Sequence, residues 1–489
     1  MCNSLHLSKH SGADYERNDG MEEDLLIEDF EEGAEEEADA GPLTWKESLR
    51  RSKLSVLVWL VFFSTFFACT FGGAGFLMFS VAGYAWILCL AFSAMVIPAH
   101  MDRISFPVSI WLPWALFVGL ASYTSDYQNL QRSAMLLCPV LVGIATSTAK
   151  IDEEQLLNFG IVIRIFSVAM LGLAVFLTGL LITGRLPSTT GLAPQAITAT
   201  LLASYFVSGY SYGRAKDLLW WGAMAMLPVM ALTRMAIFVT GLALPLTLSP
   251  LKLRTRTLLM IVVSLLGLAL FYTPRVQEKM FMKGEGTLED IGDEKNLATS
   301  GRRYMAEALL LGIAEKPYWG HGANASEELV LKLSSGQLTH PHNDWLRFLY
   351  DYGIVGTSLF LLTMLLQVRH LLKKARYSHG ETRTFFFAAA SSFLPFALIM
   401  FTDNIVLYAA FYGNLQFTII GLAYAAEKRS RLEKVSYDDD EFYEPPAKLT
   451  SRSLYYREDG NIPEEPPTEA RTNENPASTD PDGRESGDR

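Results

Sequence analysis

Residues 54–72 read LSVLVWLVFFSTFFACTFG, a run with no charged side chain that is as long as a bilayer's hydrocarbon core requires of a helix. It is the first of a series. Further apolar runs occupy residues 76–97, 106–123, 133–149, 161–183, 191–212, 218–233, 235–251, 257–274, 345–368, 384–402 and 404–426. The pattern predicts an all-α polytopic membrane protein of about twelve transmembrane helices, with a lipid bilayer as its solvent. Hydrophobic residues make up 50% of the 489 and charged residues only 19%, in keeping with that class.

The formal net charge of -11 is unevenly spread. Residues 14–39 carry 14 acidic side chains against one arginine, and residues 438–489 carry 15 against 6 basic ones. Both ends lack apolar periodicity and cannot bury enough surface to offset chain entropy, so residues 1–53 and 427–489 are expected to be acidic disordered tails flanking a membrane domain at 54–426. The first apolar run is then expected to serve as an uncleaved signal anchor. Cys69, Cys89 and Cys138 lie inside apolar runs and Cys2 at the start, a distribution that suggests neither a disulfide framework nor a metal site. Nothing in the sequence suggests a nucleic-acid partner or a cofactor, since no phosphate-cradling glycine loop or paired-histidine metal motif is present.

Lysines and arginines gather before the first run, and after the sixth, eighth, tenth and last. The positive-inside rule places these clusters, and so both termini, in the cytoplasm. The opposite face then receives the turn at Arg234, the long segment 275–344 and the turn at Asp403. Inside that segment, RRYMAEALLLGIAEKP (302–317) has apolar positions at helical spacing that Pro317 ends, and SEELVLKL (326–333) suggests a second short helix. Such helices could cover a site cut into the membrane domain.

The outer face offers Arg234, Arg302, Arg303, His321, His340 and His342. Arginine's planar fork matches phosphate oxygens and keeps its charge, so this set suits an anionic, lipid-linked substrate. His342 directly precedes the tenth run, where Asn343 or Asp344 can cap the helix and the helix N-terminus attracts phosphate. A neutral histidine there is a candidate general base. Arg347 and Asp351 stand four apart and are expected to pair, while Gly353 and Gly356 are spaced for close helix approach. Asp403 is expected either to cap the last span or to touch substrate, and Arg164 to snorkel at a membrane edge.

Three stretches together resemble the bacterial O-antigen ligase and polymerase superfamily of membrane glycosyltransferases. His342, Asn343, nine residues, Gly353, two residues, Gly356 and Thr357 match its outer-loop signature; LTRMAIFVTGLAL resembles its Ser-Arg turn, with Thr233 for serine; SGRRYMAEALLLGIAEKPYWGHG resembles its Ser-Gly-Arg segment, with Met305 and Ala306 where an aromatic is usual. The resemblance implies a GT-C-like fold in the bacterial inner membrane, with its active site facing the periplasm. It implies metal-independent, inverting transfer from an undecaprenyl-pyrophosphate-linked glycan donor to an acceptor hydroxyl on lipid A-core or another glycan. His342 would be catalytic and Arg234 and Arg302 would bind pyrophosphate, with Arg303, His340, Asn343 and Asp403 as candidate substrate contacts. A polysaccharide polymerase of the same superfamily is the alternative, and a polysaccharide or lipid transporter a further one.

Overall fold

In the computed structural model the first apolar run forms α1 (Ser55–Phe71), and α2 (Trp86–Ala99), α3 (Val108–Ser122), α4 (Tyr127–Thr146) and α5 (Glu153–Ile182) follow. Next come α6 (Ala193–Ser211), α7 (Lys216–Ala231), α8 (Arg234–Ala243) and α9 (Leu253–Phe271). Three short helices, α10 (Pro274–Met280), α11 (Arg302–Glu315) and α12 (Ala325–Leu333), precede α13 (Asp344–Tyr377), α14 (Gly380–Ile399) and α15 (Asn414–Asp438). The structure describes residues 55–71, 84–123, 127–185, 189–292, 296, 302–335, 338 and 340–438. Residues 1–53 and 439–489, expected as acidic tails, and the start of the second run at 76–83 lie outside the described residues. Ser436–Arg489 separates from the rest of the chain as a second unit, of which 436–438, the end of α15, is described.

The described residues are all-helical apart from turns and one isolated bridge residue. Four helices, α5, α9, α13 and α14, are long and apolar enough to cross a membrane, and α1, α2, α3 and α8 are shorter apolar helices. Those long apolar helices mark an integral membrane protein. Among the described residues each of the twelve apolar runs overlaps a helix, and both short helices expected in the 275–344 segment are present as α11 and α12.

Burial sorts the helices into centre and rim. In α6 every residue from Pro194 to Gly209 is buried, and it packs against α7, α8 and α14. Ala196, Ala199, Ala203, Ser204 and Ser208 give it small side chains on several faces, which lets neighbours approach closely without a polar backbone being exposed. By contrast, α9 buries only Phe271 and turns its leucines outward, as lipid contact requires.

At one end of α5–α7 and α14, Arg214 Nη1 meets Glu381 Oε1, its Nε meets Asp217 Oδ2 at 2.8 Å, and Arg164 Nη2 meets Asp217 Oδ1 at 3.0 Å. Arg164 is therefore ion-paired inside the bundle, where snorkelling was expected, because buried Asp217 comes within its reach. Two arginines facing two carboxylates leave this cluster balanced in charge.

Two boundaries differ from those the sequence suggests. Residues 405–407 and 409–413 form a 3-10 turn and a wide π turn, and α15 starts only at Asn414. The Val406 N–H is captured by Asp344 Oδ2 (2.9 Å), and the Gly413 N–H reaches the Tyr408 carbonyl (3.2 Å), so the segment is held off the regular helix. At its other end α15 runs on to Asp438, past the tail boundary expected at 427. Glu427 binds Lys374 Nζ of α13 at 3.0 Å and also pairs with Arg431, which carries the helix onward.

Candidate active site

The segment between α12 and α13 is sewn to the end of α14 and the turn beyond it. The His342 N–H donates to Asn404 Oδ1 (3.0 Å), the Asp344 N–H to the Met400 carbonyl (2.8 Å), and Trp345 Nε1 to the Ala397 carbonyl (3.1 Å). Val406 returns its N–H to Asp344, as above. Asn343 caps α13 by accepting the Leu346 N–H (3.0 Å), so that side chain is spent on the helix end.

These bonds hold His342 at φ +52°, a left-handed conformation that costs a non-glycine residue on the order of 1 kcal/mol or more. The strained backbone aims the imidazole at the turn after α14. His342 Nδ1 lies 3.4 Å from Asp403 Oδ1 and 3.2 Å from Asn404 Nδ2. Asp403 Oδ1 also accepts from Tyr408 Oη (2.7 Å) and from the Asn404 N–H (2.9 Å). Burial pushes the Asp403 carboxyl up, but the hydrogen bonds from His342, Tyr408 and the Asn404 N–H outweigh it and hold the group below the usual carboxylate range.

Arg302, the first residue of α11, sends Nη1 to the Thr402 carbonyl at 3.1 Å, one residue before Asp403. Its charge acts on Arg234, at the start of α8, and both act on Lys279 in the last turn of α10. Partial burial, and then the charges of Arg234 and Arg302, hold the Lys279 ammonium below the usual lysine range. Three cations from three helices thus share one field beside the His342–Asp403 pair.

Two of the sequence candidates point elsewhere. Arg303 pairs with Glu307 one turn along α11 at 2.8 Å, on an exposed face. His340 Nδ1 lies 3.1 Å from Glu327 Oε1, in a buried cluster on α12 and α13. Glu327 also takes Arg347 Nη2 (3.1 Å) and Arg132 Nη2 of α4 (3.2 Å), and Arg347 Nε meets Asp351 Oδ2 at 3.5 Å as their spacing suggests. Asp351 in turn accepts the Ser326 N–H (2.7 Å) and hydroxyl (3.1 Å). Burial raises the Glu327 carboxyl, and the His340, Arg347 and Arg132 contacts more than reverse this, leaving it below the usual range. The cluster fastens α12 to α13 and α4.

The first glycine of the signature is explained by a break in α13. Gly353 adopts φ +63° and ψ −170°, which frees backbone groups on both sides. Segment 317–322 takes them up: His321 and Gly322 donate to the Tyr350 and Asp351 carbonyls (2.8 and 2.9 Å), and Ile354 and Val355 donate to those of Pro317 and Tyr318 (2.8 and 3.1 Å). A Cβ on Gly353 would lie 2.3 Å from the Tyr318 carbonyl oxygen, and one on Gly356 2.5 Å from the Phe117 ring of α3. Gly353 is thus the seat of the loop carrying α11, a more specific role than close helix approach.

The sequence offered no signal for Asn404, Tyr408 or Glu327, which lie 62 and 66 residues after His342 and 15 before it. Only folding brings them to the histidines. Lys279 was in plain view in the outer segment but lacked a motif.

The described residues form an all-helical membrane protein with a histidine–aspartate pair beside Arg302. Residues 219–361 match the family model described as O-antigen ligase, so this stretch is an O-antigen ligase family domain. It spans α7 to the first half of α13 and contains Arg234, Lys279, Arg302 and His342, while Asp403 and Asn404 lie beyond it. Members of that family are membrane glycosyl-transfer enzymes. No curated protein matches the chain.

Proposed function

We propose that the protein is an O-antigen ligase-type glycosyltransferase that moves a polysaccharide from undecaprenyl pyrophosphate to an acceptor hydroxyl such as that of lipid A-core. The observation that carries this reading is the juxtaposition of the His342–Asp403 pair with Arg302, anchored one residue away on Thr402. In this reading the twelve apolar helical runs cross the inner membrane, both termini are cytoplasmic and the site faces the periplasm.

The acceptor oxygen attacks the anomeric carbon of the donor from the face opposite the diphosphate, forming the new glycosidic bond with inversion. The bond from that carbon to the diphosphate oxygen breaks, and its electron pair leaves on the diphosphate. His342 takes the proton from the acceptor hydroxyl, while Asp403 orients the ring and offsets the imidazolium charge that forms. Arg234 and Arg302 neutralise the charge developing on the leaving diphosphate, with cationic side chains in the place a metal ion takes in other transferases.

The test is purified protein in lipid, supplied with lipid-linked donor and acceptor, together with the glycan profile of a deletion strain. Full-length lipid-linked polymer that never reaches lipid A-core supports the ligase. Accumulation of single repeat units would instead identify a polymerase with the same chemistry, and movement of donor across the bilayer without a new bond would identify a transporter.

A further inference from the structure

Asn404 is 1% exposed and touches His342 twice. Its Oδ1 accepts the His342 N–H, and its Nδ2 lies 3.2 Å from the imidazole Nδ1. The first contact fixes the amide's orientation, because the oxygen is already committed to a donor. The group that faces the ring is therefore an NH₂, which only donates. Asp403 Oδ1, 3.4 Å from the same ring nitrogen, only accepts.

Nδ1 thus stands between a donor and an acceptor that call for opposite tautomers. A lone pair on Nδ1 satisfies Asn404 and puts the proton on Nε2. A proton on Nδ1 satisfies Asp403 and leaves Nε2 with the lone pair a base needs. Asp403 Oδ1 already accepts from Tyr408 and the Asn404 N–H at shorter distances, which weakens its pull on a third donor.

We propose that Asn404 is a positioning residue that sets the balance between the two neutral tautomers of His342, holding its backbone in the left-handed conformation while competing with Asp403 for Nδ1. The functional side of this rests on the reading of His342 as a base. Other charged groups border the same turn: Asp344 on α13, bonded to the Val406 N–H; Arg302 on α11, bonded to the Thr402 carbonyl; and Arg234 and Lys279, which share Arg302's field. The Glu327, His340 and Arg347 cluster lies further along on α12 and α13. All of these are unchanged in the variants below.

Asn404→Asp keeps an oxygen for the His342 N–H and replaces the competing donor by a second acceptor. Nitrogen-15 NMR of histidine-labelled, full-length protein in lipid reads the tautomer directly, with His342 assigned by the signals missing in His342→Gln. Wild type is expected to show His342 with both tautomers present, and Asn404→Asp to show the proton on Nδ1 alone. In the transfer assay, the acid limb of the rate in Asn404→Asp moves to higher pH by about one unit, since a second carboxylate favours imidazolium.

Should Asn404→Asp fail to fold, Asp403→Ala, which removes the acceptor facing Nδ1, carries the test in the opposite direction, with His342 holding its proton on Nε2 alone. An unchanged tautomer balance in the folded variant, or a pH profile that superimposes on wild type, overturns the proposal. The NMR arm needs no turnover, so it separates this inference from the enzyme reading, which full transfer by His342→Gln would remove by itself.

Discussion

His342, just before α13, and Asp403, just after α14, are 61 residues apart in sequence, and their side chains meet at 3.4 Å between Nδ1 and Oδ1. The carboxylate is fixed by Tyr408 and the Asn404 N–H before the imidazole reaches it. As the proposed base, His342 depends on this carboxylate for the right tautomer. Asp403→Asn is therefore expected to lower turnover by roughly 10²-fold, a share of the 10²–10⁴ that a positioned base supplies, with little change in the donor KM. Steady-state transfer kinetics check this, and a variant that mainly raised KM would place Asp403 on the substrate instead.

Lys279 is held below its usual range by burial and by two neighbouring arginines, so an anion of charge −2 or more should bind there and raise its proton affinity. Lys279→Gln is expected to weaken inhibition by inorganic pyrophosphate several-fold and to leave turnover at saturating donor within about threefold of wild type. Equal inhibition of the two proteins would remove Lys279 from the anion site.

The folded-state values of Asp403 and Glu327 both lie below their unfolded ones, so each contributes stability above the ordinary carboxylate range that is lost as pH falls through it. Thermal unfolding in detergent should show a drop in midpoint as the pH is lowered from about 5 to 3, near the unfolded carboxylate values. Glu327→Gln and Asp403→Asn should each flatten that slope. A double variant with the full wild-type slope would assign the acid sensitivity to other groups.

Arg347 is buried and leans on Glu327 and Asp351. Removing one partner of a buried pair leaves an uncompensated charge, which costs roughly 3–5 kcal/mol. Glu327→Ala is expected to lose about that much and to release α12 from α13 and α4, seen as faster proteolysis within 325–333. Glu327→Ala combined with Arg347→Met should recover part of the loss.

Gly353→Ala meets both a left-handed φ and a carbonyl oxygen at 2.3 Å. The backbone strain alone costs on the order of 1–3 kcal/mol, and the docked segment 317–322 must also shift. Loss of transfer together with a lowered unfolding midpoint is expected, whereas Gly222→Ala on α7, with open space around it and an ordinary φ, keeps the segment docked.

The class of fold was legible because membrane helices announce themselves locally: a charge-free run such as 165–182 is helical wherever it ends up. The signature around His342 was legible because its residues lie within one short stretch of sequence, 342–357. Helix ends inside the bundle were less so, since the start of α15 is decided by Asp344 taking the Val406 N–H across 62 residues. Arg164 looked like an edge residue and His340 like a substrate contact for the same reason: Asp217 and Glu327, the carboxylates that claim them, sit on other helices. Side chains that support the base, Asn404 and Tyr408, carry no motif because their role is defined by geometry alone.

The most direct measurement is glycan transfer by purified protein in lipid, comparing wild type with His342→Gln under saturating lipid-linked donor and acceptor. The account predicts a fall of roughly 10²- to 10⁴-fold with the unfolding midpoint retained. Transfer by His342→Gln at the wild-type rate, or none by folded wild type, would contradict it.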